Sequence, residues 1–190
     1  MMLRFRLNGQ DVEVETAPDR RAVDLLRDMG APYPDMKDVK EGCGTGECGA
    51  CSVLVDGAHK LSCLMLAAQL EGREVTTPAG LGNEAAPHAI QQALAEHGAV
   101  QCGFCTPGMS IAAAALLAEN PDPTRADIRT AISGNLCRCT GYVMIVDAVE
   151  EAARKMRGDS GPLHDAGPLR DVARASRKKP VATRKKGGTP

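Results

Sequence analysis

Eight cysteines fall into two sets of four: Cys43, Cys48, Cys51 and Cys63 in the first half of the chain, then Cys102, Cys105, Cys137 and Cys139 in the second. None is left over. The first set reads C-x4-C-x2-C with a more distant fourth member, a spacing that holds a two-iron, two-sulfur (2Fe-2S) cluster. Four thiolates are the ligand count of one such cluster, so the sequence predicts two clusters and a protein that passes electrons.

The first loop packs three thiols between Glu41 and Cys51, among Gly42, Gly44, Gly46 and Gly49. Glycine lets the backbone fold round a small object and bring N–H groups up to anionic sulfur. Such hydrogen bonds favour the reduced, more negative state and raise the reduction potential. Gly44-x-Gly46-x-x-Gly49 also matches a dinucleotide fingerprint, but it is interleaved with cysteines and leads into a predicted strand rather than a helix.

In the second set, Cys102-x2-Cys105 lies just before a predicted helix and Cys137-x-Cys139 in a loop between two others. Residues two apart share no helical face, so Cys137 and Cys139 cannot sit in regular helix, and Arg138 points away from whatever they hold. That arginine is a candidate for tuning the potential. Cys102-Gly103-Phe104-Cys105 alone also suits a thioredoxin-like pair, but the βαβ context is missing. Structural zinc is the stronger rival, although the 31 residues between Cys105 and Cys137 exceed usual zinc spacings. Disulfides are the reading for a secreted chain.

These cysteines need elements to position them. Leu3, Phe5 and Leu7 alternate with arginines, Asn8-Gly9 supplies a tight turn, and Val12 and Val14 follow in alternation, which predicts a hairpin. Asp19 can cap a helix through Met29. Ser52 to Val55, Asp56-Gly57 and Lys60 to Ser62 read as a second hairpin, and Glu74 to Thr76 as a closing strand. Beyond Pro78 come four helices, over about Ala86–His97, Thr106–Leu117, Thr124–Ile132 and Thr140–Met156. The expected fold is α+β: a β-grasp, plant-type ferredoxin domain over residues 1–78, then an all-α four-helix-bundle domain over 79–157. Residues 158–190 lose apolar periodicity and read as a basic, mobile tail that could dock on an acidic partner.

Aromatic residues make up 2% of the chain and Trp is absent, so neither half has the usual large core anchors, and metal clusters would supply cross-links. Residues 158–190 hold eight Lys or Arg against three Asp within a chain whose formal charge is −1. The body is therefore acidic, which argues against nucleic acid as its ligand. The N-terminus has no signal-like apolar region and no run is long enough to span a bilayer, so a cytoplasmic location is expected. His59, His88, His97 and His164 are scattered and read as surface residues; no catalytic constellation is present.

Gln101-Cys102-Gly103-Phe104-Cys105-Thr106-Pro107-Gly108-Met109 and Gly134-Asn135-Leu136-Cys137-Arg138-Cys139-Thr140-Gly141-Tyr142 together resemble the iron–sulfur subunit of the molybdenum hydroxylases, the xanthine dehydrogenase, aldehyde oxidoreductase and carbon monoxide dehydrogenase family. The likeness covers about residues 2–157. It implies that Cys43, Cys48, Cys51 and Cys63 hold a cluster facing a medium, FAD-binding subunit. Cys102, Cys105, Cys137 and Cys139 would hold one beside the molybdopterin cofactor of a large subunit, with Gln101 and Cys139 contacting the pterin. The partner would hydroxylate a heterocycle or aldehyde with oxygen from water, and this chain would carry the electrons away singly. A free-standing two-cluster carrier is the alternative. Residues 31–39 are longer and more proline-rich than the family's link into the first cysteine loop.

Overall fold

Side chains alternate across an extended strand, and the computed structural model of the protein, which describes residues 1–159, buries Leu3, Phe5 and Leu7 on one face of β1 (Met2–Leu7). Strand β2 (Gln10–Glu15) returns antiparallel to it. Asn8 and Gly9 both take left-handed φ, 51° and 81°, the two-residue turn whose twist matches its strands. Asp56 and Gly57 repeat the device at 51° and 77° between β3 (Ser52–Val55) and β4 (Ala58–Leu61). Strand β5 (Glu74–Thr76) runs parallel to β1 and antiparallel to β3, giving a mixed five-stranded sheet in the order β2-β1-β5-β3-β4.

Helix α1 (Ala22–Arg27) packs Val23, Leu25 and Leu26 into a core with Leu3, Phe5, Val53, Leu70 and Val75. It is shorter than the expected Asp19–Met29. Ala22 N donates to Met65 O (2.8 Å) and Ala67 N to Arg20 O (2.7 Å), and this bridge of Arg21 to Leu66 holds Arg21 extended, so the helix starts only at Ala22. The 31–39 stretch folds back on the same half: the Tyr33 hydroxyl oxygen accepts the Glu13 N–H (2.9 Å) and Met36 N donates to Leu26 O (2.8 Å).

Four α-helices follow among the described residues: α2 (Ala89–Glu96), α3 (Thr106–Glu119), α4 (Arg125–Ala131) and α5 (Val143–Met156). Each end has a local cause. Helix α2 begins late because His88 Nδ1 caps Ile90 N (3.2 Å) while Gln91 reaches back to His88 N (2.9 Å). It stops where Gly98 turns left-handed, φ 59°. Thr124 and Asp127 form the predicted capping box on α4. Helix α5 starts three residues after Thr140, because Gly141 and Tyr142 are both left-handed, at 66° and 69°.

Ile90, Leu94, Met109, Leu117, Ile128, Ile132, Ile145 and Val149 form a second core. Helix α3 is buried without interruption from Gly108 to Ala114, the pattern of a helix covered on every side; it packs on β3 as well as on its neighbouring helices. The architecture is α+β. No helix among the described residues is long and apolar enough to cross a membrane. The basic segment expected as a tail lies, from residue 160 on, outside the described residues, and His164 with it.

Candidate metal centres and the joint between them

Cys43 is exposed, and its sulfur accepts N–H groups from Thr45 (3.4 Å) and Glu47 (3.3 Å). Gly44 and Gly46, at φ 67° and 83°, turn those donors inward. The Thr45 N–H, aided by the Thr45 side chain and then the Glu47 N–H, draws the Cys43 pKa down to about 6. Arg21 ties the loop to α1 by donating to Glu41 and Asp24, each at 2.7 Å. The second hairpin brings in the remaining two thiols: pairing of Ser52 with Leu61 sets Cys51 beside Cys63, and Ser62 Oγ donates to Cys51 O (2.8 Å). Both thiols are buried, and burial pushes Cys63 up to about 11.

In the second half Cys105 stands at the cap position of α3, and burial raises its pKa to about 12. Burial would raise Cys137 too, but the Thr140 hydroxyl (3.0 Å) and N–H (3.5 Å) outweigh it and the group settles at about 7. Tyr142 staples the loop, its hydroxyl accepting Cys137 N (2.7 Å) and donating to Asn135 O (3.3 Å). Cys102 and Cys139 are exposed at the surface, with Gln101 and Arg138 exposed beside them. Cys139 is held above its ordinary pKa chiefly by Cys102.

No disulfide joins any two of the eight cysteines. They meet two by two: Cys43 with Cys48, Cys51 with Cys63, Cys105 with Cys137, and Cys102 with Cys139 at 3.7 Å. Metal–sulfur bonds of about 2.3 Å at a tetrahedral metal put two thiolates about 3.75 Å apart, so that pair already has the spacing of one tetrahedral edge. Among the described residues no three His, Cys, Asp or Glu side chains gather for a single ion. Paired thiolates suit a two-metal cluster with two terminal ligands on each iron. The donor set therefore fits 2Fe-2S.

The two cysteine loops lie directly against each other. Leu136 N donates to Cys48 O (2.9 Å), and Asn135 Nδ2 donates to Gly49 O (2.9 Å) and Ser52 Oγ (3.2 Å). Ser52 Oγ in turn donates to Gly49 O (2.7 Å) and faces His59 Nε2 at 2.8 Å. His59 is thus half-buried and bonded, contrary to the surface reading, and burial lowers its pKa. A Cβ on Gly49 would lie 2.5 Å from Gly134 O, and one on Gly108 2.4 Å from Gly49 O. Sequence reasoning found the thiols but missed this joint, because Asn135, Ser52 and Gly108 are ordinary residues until the two loops touch.

A family model described as a [2Fe-2S] binding domain matches residues 77–150. The nicotinate dehydrogenase small FeS subunit of Eubacterium barkeri is 47% identical over 154 residues, covering 80% of this chain and 95% of that protein. The xanthine dehydrogenase iron-sulfur-binding subunit of Escherichia coli O157:H7 is 47% identical over 145 residues, covering 75% and 88%. Among solved structures, the aldehyde oxidoreductase from Desulfovibrio desulfuricans ATCC 27774 superposes with a TM-score of 0.79 at 40% identity, over 84% of this chain but 17% of that longer one. A mixed sheet, five α-helices and two sets of paired thiols thus define an iron–sulfur electron-transfer protein. The chain belongs to the small iron–sulfur subunits of the molybdenum hydroxylase family, and its role there is electron transfer.

Proposed function

We propose that Cys43, Cys48, Cys51 and Cys63 hold one 2Fe-2S cluster and Cys102, Cys105, Cys137 and Cys139 the other, and that the chain relays electrons from a molybdopterin centre on a large subunit to FAD on a medium subunit. The sheet half, residues 1–78, is read as a β-grasp, plant-type ferredoxin domain, and the helices of 79–157 as a four-helix bundle. Gln101 and Cys139, both exposed on one rim, are assigned to the pterin side, and the complex to the cytoplasm. The observation that carries the reading is the pairing of eight free thiols into two sets set back to back.

Clusters of this kind exchange one electron at a time, which lets a two-electron oxidation drain in single steps. The chain's own residues set where and how readily that happens. N–H groups of Thr45 and Glu47 at Cys43, and the Thr140 hydroxyl at Cys137, stabilise negative sulfur and so favour the reduced state. Buried Cys51 and Cys63 keep water from one side of the first site, while exposed Cys43, Cys102 and Cys139 mark the places where partners can come close.

Metal and sulfide analysis of the native complex tests the reading: about four iron per chain is expected from two clusters, and zinc without sulfide would refute it. Cys139→Ser should abolish one of two distinguishable paramagnetic signals after dithionite reduction and leave the other; equal loss of both would contradict the ligand assignment.

A further inference from the structure

We propose that Asn135 is a positioning residue for electron transfer, fixing the register of the second cysteine loop on the first. The inference rests on the ligand assignment above. Asn135 is 2% exposed, yet its Oδ1 has no hydrogen-bond partner among the described residues. A buried amide with an idle acceptor is a poor choice for stability alone. Its value lies in Nδ2, which reaches across 86 residues of sequence to Gly49 O. Ser52 Oγ, itself held by Gly49 O and His59, fixes the rotation of that amide.

The surroundings are shaped to receive it. A Cβ on Gly49 would stand 2.6 Å from Nδ2, and one on Gly108 3.2 Å from it, so two glycines leave the space that the amide occupies. Gly49 lies between Cys48 and Cys51, Gly108 is three residues past Cys105, and Asn135 is two before Cys137. One amide therefore locks segments that carry thiols of both sets. The Leu136 N to Cys48 O bond is backbone alone, and it survives loss of the side chain. Removing the amide thus loosens the joint without dismantling it, and small misplacements of reacting centres are costly to rate.

The test uses the intact complex carrying Asn135→Ala or Ser52→Ala, with iron content and thermal midpoint measured alongside. The readouts are the magnetic coupling between the two reduced clusters and the rate at which electrons entering from the molybdenum side reach the first cluster. Asn135→Ala should keep both signals and full iron, weaken and broaden the coupling, and slow the transfer several-fold. Ser52→Ala should move both readouts the same way by less. Wild-type coupling and rate in Asn135→Ala, with both signals present, would overturn the inference alone. Should that variant not accumulate, an unchanged Ser52→Ala overturns it. Absence of two separate signals in the wild-type complex would instead bring down the ligand assignment, and this inference with it.

Discussion

Gly108→Ala isolates the tightness of the joint from the strain of glycine conformation. Gly108 lies within α3 with no left-handed φ, so alanine there is conformationally acceptable and gains about 1 kcal/mol of helix propensity. Against that, the added methyl would sit 2.4 Å from Gly49 O and 3.3 Å from the Ala50 Cα. Both are backbone atoms of the first cysteine loop and cannot rotate aside, so the overpacking cost falls at the upper end of its range, about 3 kcal/mol. The net loss of about 2 kcal/mol corresponds to a midpoint about 4–8 °C lower for a chain of this size. Thermal melts of the cluster-loaded full chain, followed by far-ultraviolet circular dichroism and visible absorbance, measure it. Gly134→Ala, where a Cβ meets nothing within 4 Å, is the control and should melt with the wild type. A Gly108→Ala protein as stable as the wild type, or more so, would refute the claim that the two loops touch as described.

Thr140→Val removes the hydroxyl that donates to Cys137 Sγ at 3.0 Å. Forfeiting about 1 kcal/mol of preference for the reduced state lowers the second cluster's one-electron potential by on the order of 40 mV, and a redox titration should show the first cluster unmoved. Arg125→Ala strips a cation with 10% side-chain exposure from between Asp147 and Glu150, each 2.7 Å from Nη1. Only the Glu150 contact is an aligned hydrogen bond. Because the carboxylates are a quarter to a third exposed, the loss should be about 2–3 kcal/mol, short of a fully buried pair, read as a lower urea midpoint with an unchanged slope.

Patterns with a short period were legible in the sequence. The two hairpins follow from Asn8-Gly9 and Asp56-Gly57, whose left-handed backbones leave few alternatives, and the α4 cap follows from Thr124 and Asp127. Thiol spacing likewise announced two sets. What failed were element starts governed by distant partners. Asp19 is a sound local cap, but residues 20–22 are tied to residues 65–67, and the Thr140 hydroxyl does accept the Tyr142 N–H, yet Gly141 and Tyr142 turn left-handed before the helix can begin. His59 reads as a surface residue on its own strand, but α3 packs against that strand and Ser52 Oγ meets its Nε2, which leaves it half-buried. The bonds of residues 20–22 to 65–67 and the packing of α3 on the sheet join positions tens of residues apart, and no local pattern encodes them.

The unbroken burial of α3 from Gly108 to Ala114 bears on how such a chain can be divided. Val53 and Val55 serve the first core, while Ser52 and Leu54 point to the opposite face of β3, the side that α3 covers. Severing the polypeptide near residue 78 would bare that second face, and the orphaned sheet would be prone to self-adhesion. Recombination that swaps one half for a homologue's must therefore carry compatible seam residues on both sides, which makes the pair a single unit of inheritance.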